Sequence, residues 1–486
     1  MSDIDVVRPQ ITVLSQEQIA RIHAASLQIL STVGIRVDSE RARQVFARAI
    51  GKTAAAGRVR IPRQLVERAL ATAPSNVEVY DRQGNLTFHL GPPMKNGPNG
   101  EVQTRFGIGV TALYYQDPET DEVVPFTRKH MEMTVRLGGA LPSFDAVSTV
   151  GIVQDVPPKA SDLYAVLEMV ANTVKPLVIL VSDEKCFPRV LELLEHLHGD
   201  LASRPFILPY FNPITPLVMN RGTVDKMFVT IERGLPFIYS NYGMAGATTP
   251  ITPAGTLVLL NAELLAGLTF SQLVKEGTPV ILGCLPAFFD MRGMGSFYDA
   301  QSYVVNLACA EMMVHYRLPH CGTSGSGMGW GADLITAGHQ WANHLLSCLG
   351  KVGLAPFVGD NLGSKAFPPA VIVYADEIIA QARRLAQGFP LDDRPFALSE
   401  IEEIGPGGSF LTSNLTLERF RYATYQSKVW PTLTMEEWLD RGSPRAGEEL
   451  RHYTQRLLSE AGPPEDHADL IVEGETFINT SNALFD

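Results

Sequence analysis

Four stretches between residues 241 and 365 concentrate glycine, aromatic and small polar residues. They are Asn241-Tyr242-Gly243-Met244-Ala245-Gly246-Ala247-Thr248-Thr249-Pro250, Pro286-Ala287-Phe288-Phe289-Asp290-Met291-Arg292-Gly293-Met294-Gly295, Thr323-Ser324-Gly325-Ser326-Gly327-Met328-Gly329-Trp330-Gly331 and Asp360-Asn361-Leu362-Gly363-Ser364-Lys365. Glycine at this density lets backbone approach a ligand closely. Gly325, Gly327, Gly329 and Asn361 are therefore candidates to cradle a cofactor. Aromatic faces hold quaternary ammonium groups by attraction of the cation to the ring quadrupole. Phe106, Tyr242, Phe289, Tyr298, Trp330 and Phe357 are the rings available for this. Any one of them alone is as well explained by core packing; two or three lining one mouth would make a pocket. Asp290 and Arg292 are spaced to form a charged pair, either functional or a plain loop salt bridge. His320 completes the candidate substrate contacts.

Other chemistries find little support. His315, His320 and Cys321 are close in sequence, but Leu318-Pro319 should end a helix between them. His339 and His344 would diverge by about 140° on a helix, as five residues of helical rotation require. His196 and His198 diverge as well, so no bound metal is expected. The glycine-rich stretches lack a P-loop ending and a convincing GxGxxG after a first strand. No GxSxG elbow or recognisable cysteine nucleophile motif is present, and no acid–base dyad is expected.

Eight short β-rich runs must position these loops: 101–106, 146–153, 177–181, 206–211, 237–240, 280–284, 319–322 and 355–359. Most lie at the spacing of βα units. Several are nearly all apolar, as strands covered on both faces should be. The pattern predicts a (β/α)8 TIM barrel over 101–388, with a doubly wound open sheet as the rival. In a barrel, the loops that follow the strands form the active-site face. Thr252-Pro253 reads as a helix N-cap followed by Pro at the first position, Asp299 as the cap of a helix ending near Tyr316, and 376–387 as helical. Ahead of the barrel, residues 1–100 read as a helical extension with a β-hairpin. Ser15-Gln16-Glu17-Gln18 is a capping box, a helix fits 40–50 before Gly51, and another runs from Pro62 to before Pro74. Val77-Glu78-Val79-Tyr80 and Leu86-Thr87-Phe88 flank a turn. Residues 389–486 read as a C-terminal helical extension packed on the barrel.

The totals bound the class. Hydrophobic residues make up 45% and charged residues 19% of 486 residues, a globular composition able to bury a large core. The net charge of −12 is concentrated in the last hundred residues, and no basic stripe marks a nucleic-acid surface. No signal peptide and no uninterrupted apolar run of membrane-spanning length is evident, so a cytoplasmic protein without membrane contact is expected. Five cysteines without a CxxC pair argue against disulfides.

Gly246-Ala247-Thr248-Thr249-Pro250-Ile251-Thr252, leading into Asn261-Ala262-Glu263-Leu264-Leu265-Ala266-Gly267, resembles the trimethylamine methyltransferase family. So do Asp290-Met291-Arg292, Asp376-Glu377-Ile378, and Gly405-Pro406-Gly407-Gly408-Ser409-Phe410-Leu411 followed by Thr416-Leu417 and Arg419-Phe420-Arg421. The opening from Leu14-Ser15 to Gly34-Ile35 matches too, so the resemblance covers almost the whole chain. It implies a (β/α)8 barrel that moves a methyl group from a methylated amine to Co(I) of a corrinoid (cobalamin) carried by a separate small protein docked over the mouth. It also implies a homo-oligomer.

Trimethylamine enzymes of the family use pyrrolysine, at a place that corresponds here to the loop 322–331, which holds only standard residues. The resemblance therefore implies a non-pyrrolysine member, whose relatives act on quaternary amines such as glycine betaine, proline betaine or carnitine. Such a substrate is permanently cationic and leaves as a neutral tertiary amine, so it needs alignment rather than a general acid. This chain departs from the family at three places. His320 and Cys321 follow Leu318-Pro319 where many relatives carry Arg, Phe357 or a neighbour stands where many carry His, and Ser409 follows the GPGG turn where His is usual. Arg292 or Lys365 would be replacement cations for a substrate carboxylate. A non-catalytic amine-binding barrel and a barrel enzyme of different chemistry remain alternative readings.

Overall fold

The computed structural model describes residues 6–51, 57–92, 104–323, 327–391 and 396–482. Its centre is a curled eight-stranded sheet of β1 (Arg105–Ile108), β2 (Ala146–Ser148), β3 (Leu177–Ile179), β4 (Ile207–Phe211), β5 (Phe237–Ala245), β6 (Val280–Asp290), β7 (Gly295–Phe297) and β8 (Leu354–Val358). The order across the sheet is β7-β6-β5-β4-β3-β2-β1-β8, and every pairing except that of β7 with β6 is parallel. The segment 319–321 lies between β6 and β8 and bridges both in parallel, Leu282 to His320 and Cys321 to Leu354. Cys321 N–H donates to the Leu282 carbonyl at 2.9 Å, and Leu354 N–H to the His320 carbonyl at 2.9 Å. Gly283 permits this approach, because a Cβ there would meet the Cys321 carbonyl oxygen at 1.4 Å.

Strand periodicity sorts the side chains into two cores. Val178, Leu208, Ile238, Ile281, Cys321 and Leu354 fill the inside of the curl. Their neighbours Leu177, Ile207, Phe211, Phe237, Tyr239 and Val280 face outward, against the helices. The hairpin of Val77–Tyr80 and Leu86–Leu90 joins the inner core through Val77, Val79, Phe88 and Leu90. Its hydrogen bonds from Tyr80 N to Pro205 O and from Arg82 N to Val174 O place it at the amino ends of β4 and β3.

Local signals set the helix ends. Ser15 and Gln18 form the capping box of Gln16–Gln28, and Glu40–Ile50 ends on Gly51 at φ 74°. Thr252 caps Pro253–Val274, and Asp299 accepts from Gln301 and Ser302 at the start of Ala300–Tyr316. The helix Pro253–Val274 has the length and hydropathy of a membrane span, yet most of it is buried. It packs on β5 and on the three N-terminal helices, as the core helix of the outer layer. Ala446–Glu460 packs on Pro369–Gln387, and His467–Asn482 on Ser161–Asn172. Arg82, its side chain buried, ties the hairpin end to this last helix through a bidentate pair with Asp466 at 2.5 and 2.8 Å.

Two segments expected to be loops are extended strand. β5 continues past Ser240 to Ala245 and stays in parallel register with β6 as far as Phe288. β6 then turns back antiparallel through β7, pairing Phe289 with Ser296. Nine and eleven residues at about 3.3 Å each make a wall that rises beyond the shorter neighbouring strands. Burial runs unbroken along 237–241 and alternates only along 241–245, the continuation that the glycines at 243 and 246 conceal in the sequence.

Candidate active site

A cavity of about 230 Å³ opens among the carboxyl ends of the strands. Val110 and Thr111 reach it from beyond β1, Leu180 from beyond β3, and Tyr210 and Asn212 from the end of β4. Tyr242 and Leu285, directly opposite each other on β5 and β6, form the raised wall. Thr323 enters after the bridging segment, Phe357 from β8, and Asp360 and Ser364 from the loop that follows. Tyr298 closes the set from just before the helix Ala300–Tyr316. One cavity served by this many strand ends is what the curl of the sheet creates.

Period-two alternation selects which residues arrive. In β4, Leu208 and Tyr210 share the inner face while Ile207 and Phe211 face the helices. In β8, Leu354 and Phe357 point inward and Ala355 and Val358 outward, with the irregularity between 355 and 358 resetting the phase. Tyr210 and Phe357 meet edge to face beneath the cavity, ring centroids 4.9 Å apart. Burial raises the Tyr210 phenol well above its usual range. Burial, with Tyr242 and Asp360 beside it, does the same for Tyr298. These phenols stay neutral at ordinary pH and supply ring faces and hydroxyl dipoles.

The glycine-rich loop braces this wall. Gly327 N–H donates to Asp360 Oδ1 at 2.7 Å, and its carbonyl accepts from Gly363 N at 3.1 Å. Gly327 lies at φ 84° with its α-carbon against the Tyr298 ring; a Cβ would fall 2.6 Å from Cε2. The Gly329 carbonyl accepts from Leu362 N, and Asn361 Nδ2 donates to the Gly331 carbonyl at 2.8 Å. Gly327, Gly329 and Asn361, expected to cradle a cofactor, thus knit the loops 327–331 and 360–364 together. Gly325 lies outside the described residues.

Of the expected substrate contacts, the structure brings Tyr242, Tyr298 and Phe357 together in the cavity. Phe106 is placed elsewhere: it is fully buried on the helix side of β1, edge-on to His344 at 5.4 Å and beneath the Arg383 guanidinium. His320 also faces outward, its Nδ1 accepting from Gly353 N at 3.3 Å, one residue out of phase with inward Cys321. Phe289 and Asp290 sit on the raised hairpin above the cavity. Asp290 accepts the backbone N–H groups of Arg292 and Gly293, which hold its carboxyl below the usual range, so it stabilises its own turn. Arg292 and Lys365 are exposed and do not line the cavity. Trp330 is 72% exposed on the rim. Tyr210, Asn212 and Asp360 were not among the expected contacts. Alternation within 207–211 is the sequence signal for Tyr210, whereas nothing in the loop 360–365 singles out Asp360. No group of three or more His, Cys, Asp or Glu able to hold a metal occurs among the described residues.

A sequence model of the trimethylamine methyltransferase (MTTB) family matches residues 2–483. The chain belongs to that family. It is a methyltransferase by this membership, and its loop 322–331 of standard residues agrees with a non-pyrrolysine member. Similar relatives include a trimethylamine methyltransferase of Desulfitobacterium hafniense strain DCB-2, 27% identical over 92% of this chain and 88% of the relative. A glycine betaine methyltransferase of D. hafniense strain Y51 is 26% identical over 97% of each. The monomethylamine methyltransferase of Methanosarcina barkeri shares the fold, with a TM-score of 0.52 at 9% identity over 95% of this chain and 90% of that one. Ser409 lies on an exposed turn and does not line the cavity, and Cys321 lies in the inner core.

Proposed function

We propose that this chain transfers a methyl group from a quaternary or otherwise methylated amine to Co(I) of a corrinoid carried by a separate small protein. The observation that carries this reading is the cavity walled by Tyr210, Tyr242, Tyr298 and Phe357 at the carboxyl ends of the strands. Aromatic faces attract a methylated cation and leave its methyl groups free of covalent partners. The carbon–nitrogen bond breaks with both electrons going to nitrogen, and the acceptor supplies the pair for the new bond. A quaternary nitrogen departs neutral, so the protein's part is to hold one methyl carbon in line with the acceptor. Positioning of this kind contributes on the order of 7–11 kcal/mol.

The rim supports docking of the acceptor protein there. Met291, Met294 and Trp330 are each more than 70% exposed, and Ile214, Ile251, Phe297 and Leu334 are exposed on the same set of loops. We read these exposed apolar side chains around the mouth as the docking face. We read the bridges at His320 and Cys321 as closing the sheet into a full (β/α)8 barrel over 101–388, with 1–100 and 389–486 as extensions. A homo-oligomer is part of the same reading. The helices Leu398–Ile404 and Asn414–Ala423 have no buried residue, and Phe410, Leu411, Leu417 and Phe420 stand exposed there, suited to a second copy. A cytoplasmic setting belongs to the reading as well.

The test is to mix the purified chain with Co(I) cobalamin, or its corrinoid protein, and a panel of methylated amines, following loss of the Co(I) absorbance. Failure with every amine, while a glycine betaine methyltransferase succeeds in parallel, would refute it.

A further inference from the structure

Residues 396–423 form an arm that the rest of the chain leaves uncovered. Its helices Leu398–Ile404 and Asn414–Ala423 are 7 and 10 residues long, and neither buries a residue. Helices this short are marginal in water without tertiary packing. Eight large apolar residues of the arm, from Phe396 to Tyr422, are 44–80% exposed. Together they present on the order of 800 Å², about what one partner contributes to a stable interface. Leu398 and Ile401 share one helix face, as do Leu417 and Phe420, three residues apart in each case. Glu400 Oε1 accepts from Leu415 N at 2.9 Å and ties the two helices together.

The place of the arm and its charge say what covers it. Arg383 donates to the Thr104 carbonyl at 3.0 Å and to Asp145, just ahead of β1 and β2, so this end of Pro369–Gln387 stands at the amino ends of the strands. Beside it, Arg384 donates to the carbonyls of Tyr422 and Ala423 at 2.9 and 2.7 Å. The arm is thus rooted on the face opposite the cavity, away from an acceptor protein docked at the mouth. Charge divides between its helices. The first carries Glu400, Glu402 and Glu403 and no cation; the second carries Arg419 and Arg421 with one acid, Glu418. A two-fold interface sets one patch against its own copy, so that patch must be self-complementary. We propose that two copies pair arm to arm about a two-fold axis, the acidic helix of each against the basic helix of the other, with the apolar residues between them. This pairing rests on the reading of the chain as a homo-oligomer, and it leaves both cavity mouths open.

Light scattering and sedimentation of the full chain at several concentrations test it, with far-UV circular dichroism to show that each variant is folded. The wild type should contain a dimer. Glu402→Arg with Glu403→Arg, and separately Arg419→Glu with Arg421→Glu, set like charge against like and should each weaken self-association at least about 10-fold. An equimolar mixture of these two variants should recover the wild-type association, because the reversed helices again complement each other. Leu417→Asp with Phe420→Asp should be monomeric where the wild type is dimeric. A wild type that is monomeric throughout overturns both this pairing and the homo-oligomer reading. A wild-type oligomer that all three folded variants keep unchanged overturns the arm as interface and leaves the homo-oligomer standing. Charge variants that dissociate alone and stay dissociated when mixed overturn the acidic-to-basic pairing.

Discussion

Replacing Gly327 with alanine should damage substrate binding far more than it damages the fold. The residue sits at φ 84°, where a side chain costs about 1–2 kcal/mol. The new Cβ would also stand 2.6 and 2.7 Å from Tyr298 Cε2 and Cδ2. Relief requires the ring or the loop to move, an overpacking cost of roughly 1–3 kcal/mol. Movement of the loop strains the 2.7 Å bond from Gly327 N to Asp360, and movement of the ring alters the cavity wall. Gly363→Ala is the matched control, because Gly363 lies at φ 69° with nothing within 4 Å of its Cβ position. It carries the backbone cost without the collision. Thermal unfolding should show both variants folded with modest loss of stability, and titration with tetramethylammonium should show about 10-fold or greater weakening for Gly327→Ala alone, as the extra collision cost implies. Equal affinities in the two variants would refute the claim that Gly327 is there to seat Tyr298.

Glu263 accepts hydrogen bonds from Thr215 Oγ1, Leu217 N and Asn241 Nδ2 while almost wholly buried, and burial raises its carboxyl above the usual range. Glu263→Ala should cost about 3–5 kcal/mol in urea unfolding by stranding these donors, and Glu263→Gln clearly less. Burial lowers His344 to about 3 and His198 to about 4, against an ordinary 6.5. Both are neutral in the fold, so their contribution is full above pH 6.5 and falls away as pH drops towards 4, where the unfolded chain takes up the protons. Urea midpoints measured from pH 7 to 4 should fall accordingly, and His344→Asn should flatten that slope. Met291→Glu with Met294→Glu should slow methyl transfer to the corrinoid protein by about 10-fold while sparing free cobalamin, since only the protein acceptor needs the apolar rim. Equal losses with both acceptors would count against docking at that rim.

Local elements were legible because their causes are local. The Ser15–Gln18 box, Gly51, Thr252-Pro253 and Asp299 each satisfy backbone groups within one helical turn of themselves. Seven of the eight expected runs contain or overlap a parallel strand, and 319–322 joins the sheet through single bridges. Strand β1 lies later than expected, at Arg105–Ile108, and residues 101–103 are outside the described set. The continuation of β5 and β6 was hidden because glycine and proline read as punctuation, although a neighbouring strand can supply their hydrogen bonds.

The site was less legible for a geometric reason. Aromatic content pointed to Tyr242, Tyr298 and Phe357, and the cavity holds all three. It pointed equally to Phe106, which one step of strand phase turns towards the helices. Glycine density points to close approach of a ligand, but Gly327 and Gly329 closely approach Tyr298 and Thr336 instead.

The sequence by itself therefore determined the capped helices, the βα rhythm, the family and the face on which the loops gather, because these follow from residue types and short spacings. Only the tertiary structure decided which rings share a cavity and that Asp360 joins them there. Those facts depend on the curl of the sheet and the phase of each strand, which bring together residues from Val110 to Ser364 that no local pattern connects.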